Sequence, residues 1–147
     1  MPETREPSAR LRALYENYLD EVETAERNRK LGAGWFGMKG GVADDPCHDR
    51  FAEALRSYFE ELSASGASGA FLRDELSYVY TAPRDNPNPR AAYWMLIAVQ
   101  GYGIDLIGYL EPADAQALAE LFHAYYPRRD RMPVQTQILK RLKQQAH

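Results

Sequence analysis

The densest run of reactive side chains is Asp44, Asp45, Pro46, Cys47, His48 and Asp49. An aspartate followed by proline reads as the N-cap and first residue of a helix, because proline loses no needed hydrogen bond there. Cys47 and His48 then fall in the first helical turn, where free backbone N–H groups favour a thiolate. The neighbouring carboxylates oppose that effect, so an activated thiol does not follow. Asp45, His48 and Asp49 recur at three- and four-residue steps, a spacing that can bring side chains to one metal. A closed site would need further ligands, and His123 and His147 show no matching spacing. No metal or cofactor is therefore assigned. The simpler reading is a capped helix start with a small buried thiol and an imidazole hydrogen-bonded to an aspartate.

Upstream, Gly32, Ala33, Gly34, Trp35, Phe36 and Gly37 spell the dinucleotide-binding fingerprint. Those glycines serve a pyrophosphate only when they leave a strand and open a helix. Here they follow a long helical pattern, and Trp35 and Phe36 would crowd the backbone approach. Gly34 to Gly37 also has the form of a loop that clamps nucleic-acid backbone, but that module needs a sheet. A loop that folds two aromatic rings over a core accounts for the same residues. The binding candidates are accordingly Trp35, Phe36, Asp45, Cys47, His48 and Asp49. No serine–histidine–aspartate, paired-carboxylate or phosphate-loop arrangement can be assembled.

Charge is the other chemical signal. Residues 128–147 hold six basic side chains against Asp130, a net +5, which leaves −8 on the remainder of a chain of net charge −3. A basic stretch of this kind can track phosphates. It lacks the polar readers that base recognition wants at a helix start, Gln135 and Gln137 being the only candidates, its connection holds Pro127 and Pro133, and the acidic body repels DNA. Nucleic acid is thus not the expected partner. Asp105, in an apolar stretch, is expected at the surface, since a buried lone carboxylate is costly.

The elements that must position these groups read as helices throughout. Leu11, Leu14, Tyr15, Tyr18, Leu19, Val22 and Ala25 lie on one stripe, started by Ser8 and stopped by Gly32 and Gly34. Phe51, Leu55, Tyr58, Phe59 and Leu62 form a second stripe, which gives way to the Ser/Gly-rich run 63–69. Leu72, Leu76, Val79 and Tyr80 form a third, although residues 77–81 are also rich in β-formers. Pro83, Pro87 and Pro89 bound a rigid loop. Residues 91–99 are apolar nearly all round, as in a helix at the middle of a bundle. Gly101 and Gly103 break it, leaving a short helix over 104–110. Pro112 and Pro133 open the last two helices, with Ala115, Leu118, Leu121, Phe122 and Tyr125, then Val134, Ile138, Leu139 and Leu142, facing inward.

These patterns predict an all-α, single-domain bundle of five to six helices over 1–147, joined by short Pro/Gly-rich loops. The stretch 91–110 contains Gln100, Asp105 and three glycines, so a buried helix explains it better than a membrane span. One cysteine forms no internal disulfide, and the charged N-terminus lacks an apolar leader, which together point to a cytoplasmic protein. The lack of a catalytic set favours a non-enzymatic interaction or regulatory module that binds a partner protein or itself. The alternatives are a small-molecule or metal-dependent enzyme at Asp45, Cys47 and His48, and nucleic-acid binding through the basic tail.

Overall fold

The computed structural model describes residues 8–31, 46–85 and 89–147. They form six α-helices and two 3₁₀ segments: α1 (Ala9–Leu31), α2 (Pro46–Ser65), α3 (Gly69–Asp85), α4 (Pro89–Ala98), η1 (Val99–Tyr109), α5 (Pro112–Tyr125), η2 (Arg128–Asp130) and α6 (Pro133–Ala146). Among the described residues there is no strand, and no helix is long and apolar enough to cross a membrane.

The fold has three layers. An α1–α2 hairpin forms one face, α3, α4 and η1 fill the middle, and an α5–α6 pair forms the opposite face. The predicted stripes are the buried ones: Leu11, Tyr15, Tyr18 and Val22 from α1, Phe51, Leu55, Tyr58, Phe59 and Leu62 from α2, and Leu72, Leu76, Val79 and Tyr80 from α3. Ala115, Leu118 and Phe122 of α5 meet Ile138, Leu139 and Leu142 of α6 across the last layer. Residues 77–81 are helical, so their β-forming side chains serve helix packing instead.

Local chemistry sets the helix ends. Ser8 caps α1, its hydroxyl accepting from the Leu11 N–H at 3.2 Å. Gly66, at φ +76°, ends α2 in a left-handed conformation. The Ala67 N–H reaches back to the Leu62 carbonyl at 3.1 Å and the Gly66 N–H to Ser63 at 3.3 Å, the paired bonds of a Schellman motif.

Two expectations are corrected. Pro83 does not bound a loop; it lies inside α3, which continues to Asp85. Gly101 and Gly103 do not break the chain. The hydrogen-bond pattern tightens at Val99, and a single 3₁₀ segment of 11 residues runs to Tyr109. The physical reason is proximity. A Cβ on Gly101 would sit 2.7 Å from Val134 Cγ2, and one on Gly103 would sit 3.2 Å from the Phe59 ring. These glycines let η1 lie between α2 and α6, within the contact range a side chain would prevent.

Candidate functional site

Trp35, Phe36 and Asp45 lie outside the described residues, as do Gly32 and Gly34. Cys47 lies in the first turn of α2, and its side chain is likewise outside them. His48 is buried, only 5% exposed, with Nδ1 2.7 Å from the Tyr18 hydroxyl. Tyr18 stacks in turn on Phe51 at 4.3 Å. Asp49 is exposed. The two neighbours thus leave the helix in different directions, the imidazole into an aromatic cluster and the carboxylate into solvent. Among the described residues no group of three or more His, Cys, Asp or Glu is placed to hold a metal ion. Asp105 is exposed, as its helical neighbours imply.

Two buried polar clusters join distant elements. Glu75 is 1% exposed, and its carboxyl accepts from the Ser8 N–H at 2.7 Å, the Ser8 hydroxyl at 3.0 Å and the Tyr58 hydroxyl. One side chain of α3 thereby fastens the start of α1 and the middle of α2. The Tyr58 phenol is pushed up to about 12 by burial, and its bond to Glu75 acts in the same direction.

The second cluster follows from Pro83. In an uninterrupted helix the N–H of residue 83 would donate to the Val79 carbonyl, and proline has none. Gln100 of η1 places its amide nitrogen 3.4 Å from that carbonyl and 3.2 Å from the Tyr80 carbonyl. Tyr126 donates to the Tyr80 carbonyl at 2.5 Å and accepts from the Gln100 amide at 3.2 Å. Gln135 of α6 donates to Gln100 Oε1 at 3.1 Å while its own oxygen accepts from the Met132 N–H at 3.0 Å. The middle layer and the α5–α6 layer are stitched together at the proline.

Glu75 and Gln100 were not among the sequence candidates, and Gln135 was weighed only as a base reader, yet a signal was present. Each is polar on an otherwise apolar stripe: Glu75 among Leu72, Leu76 and Val79, Gln135 among Ile138, Leu139 and Leu142, and Gln100 at the end of the apolar run 91–99. All three act in structure, not at an open site.

A cleft of about 620 Å³ opens beside Pro83, Arg84, Tyr93 and Asp130. Arg84 lies over the Tyr126 ring at 5.2 Å and 3.8 Å from Asp130, so the two charged groups of the cleft face each other.

Among the described side chains, the two outer layers differ in the sign of their excess exposed charge. Arg131 of the basic stretch donates to the Tyr126 carbonyl at the end of α5 and lies 2.9 Å from His123 Nδ1. Arg141 is half-buried and bonds Gln145. Arg128, Arg129, Lys140 and Lys143 remain on the surface, and α6 contains no acidic residue. On the opposite layer, Glu16, Asp20, Glu21 and Glu23 of α1 are exposed, with no base between Arg12 and Arg27. Asp49 and Glu53 extend that surface on α2. Among the described side chains the exposed bases of this layer are Arg10, which pairs with Glu61 at 2.6 Å, Arg50, which pairs with Glu21 at 3.1 Å, and Arg56, which lies over the Tyr102 ring. Comparison with protein-family models, with curated proteins and with solved structures gave no match, so the geometry and charge of the chain itself must carry the functional conclusion.

Proposed function

We propose that this chain is a non-enzymatic helical module that binds a partner protein through its basic η2–α6 surface. The observation that carries this reading is the excess of exposed base on η2–α6 against an excess of exposed acid among the described side chains of α1–α2. On η2–α6, Arg128, Arg129, Lys140 and Lys143 face only Asp130; on α1–α2, Arg10, Arg50 and Arg56 are outnumbered by exposed carboxylates. Fields of one sign spread over a helical face steer and orient partners of the opposite sign. The buried polar clusters support the same view from inside. Glu75 bonds Ser8 and Tyr58, and Gln100 and Gln135 bond each other and the backbone. A rigid frame with one charged face is what a docking module requires.

The reading is tested by comparing proteins retained from lysate by the immobilised chain and by its Lys140→Glu/Lys143→Glu variant. Both positions are exposed, so the variant is expected to keep the fold. Retention of an acidic protein by the parent and its loss by the variant is the expected result. Equal retention by both overturns the assignment to this face. Retention that disappears on nuclease treatment would move the function to nucleic acid, whose binding likewise falls steeply with salt.

A further inference from the structure

We infer that the partner is a second copy of this chain, docked head to tail, with η2–α6 of one molecule on the α1–α2 face of the next. This inference rests on the binding reading above and names its occupant. The argument is charge complementarity within one sequence. Arg128, Arg129, Lys140 and Lys143 project from one outer layer, and Glu16, Asp20 and Glu53 stand on the other. Two copies that meet through like layers oppose surfaces of the same net sign, which is repulsive. Two copies that meet through unlike layers bring the opposed sets together.

The layer order then decides the form of the assembly. The two faces lie on opposite sides of the middle layer, so a molecule whose α6 surface is occupied still presents its acidic face. Such a contact is heterologous and does not close at two subunits. Among the described residues the exposed large apolar side chains are Phe71, Tyr109 and Met132, which lie at different places along the chain and form no single apolar patch along α6. The contact therefore depends on charge and is screened by salt.

Light scattering and sedimentation of the full chain over a range of concentrations test this. At about 20 mM salt, where screening is weak, the average mass is expected to rise with concentration past that of two 16.7 kDa chains, and to return to one chain at about 0.5 M. The Lys140→Glu/Lys143→Glu variant and a Glu16→Lys/Asp20→Lys/Glu53→Lys variant should each remain monomeric, because the first loses most of the basic excess of its α6 surface and the second, with its added lysines, carries bases on both faces. Mixed together, they should assemble again, which a misfolded variant cannot do. Three results overturn the inference: a wild-type chain that stays at 16.7 kDa at every concentration in low salt, growth that stops at a dimer, or two variants that fail to assemble when mixed. If self-association fails while the lysate protein is still lost by the α6 variant, the binding reading stands and only its occupant changes.

Discussion

Removing two buried tyrosine hydroxyls is expected to have opposite consequences. The Tyr126 hydroxyl serves the proline-interrupted turn, donating to the Tyr80 carbonyl at 2.5 Å and accepting from Gln100 at 3.2 Å. Tyr126→Phe removes two buried hydrogen bonds while the Tyr80 carbonyl and the Gln100 amide keep each other, an expected loss of about 1–2 kcal/mol. Tyr15 is 1% exposed, and its hydroxyl meets no hydrogen-bond partner among the described residues. Tyr15→Phe keeps the edge-on ring contacts with Phe51 and Tyr78 and sheds an unpaired polar group. It is expected to be neutral or to stabilise by up to about 1 kcal/mol. Urea unfolding measures both, and a neutral Tyr126→Phe would remove the cluster's claim on stability. Glu75 marks the limit of what residue-level reading sees. A carboxyl on the Leu72–Leu76–Val79 stripe announces that it must be paired. Its partner Ser8, 67 positions away, is invisible without the packing of α1 on α3.

At the scale of elements, Gly101 is the sharpest test of how η1 is seated. A methyl group there would meet Val134 Cγ2 at 2.7 Å, and a β-branched side chain on a packed helix has little room to turn away. Gly101→Ala is expected to cost about 1–3 kcal/mol, with part recovered by adding Val134→Ala. Additive losses in the double-mutant cycle would show that the two sites do not touch. Gly108→Ala is expected to be mild, because the group 3.0 Å away is the mobile end of Arg141. The contrast explains which elements were legible. Stripes such as Phe51–Leu55–Tyr58–Leu62 repeat within one helix and carry their own periodicity, so their burial could be read directly. Pro83, Gly101 and Gly103 were misassigned because local rules treat proline and glycine as punctuation. Their actual settings depend on Gln100, Val134 and Phe59, which arrive from other helices. Of the candidate site, His48 could be read as hydrogen-bonded, but its burial could not be read, and the bond goes to Tyr18 and not to a neighbouring aspartate, a contact that spans 30 positions.

For the molecule as a whole, the buried phenols make alkali the informative perturbation. Burial holds the Tyr15, Tyr80 and Tyr126 hydroxyls well above the usual tyrosine range, and Tyr58 is raised to about 12. In the unfolded chain the same groups titrate near 10. Above that pH the unfolded state has released protons that the native state retains, so the native state binds more protons and stability falls as pH rises. The sign is the same for all four, and their losses add. Each phenol that stays protonated in the fold contributes a slope of about 1.4 kcal/mol per pH unit above its unfolded value. The expected outcome is a cooperative alkaline transition, beginning near pH 10, in which helical circular dichroism is lost together with the appearance of tyrosinate absorbance. Tyr15→Phe separates this linkage from packing. It removes one ionisable group without removing a hydrogen bond seen among the described residues, so its transition should move to higher pH even if neutral stability is unchanged. A gradual tyrosinate titration with helix content intact would mean that these hydroxyls reach water in the native fold, and the three-layer core would have to be looser than the packing of Tyr15, Tyr80 and Tyr126 implies.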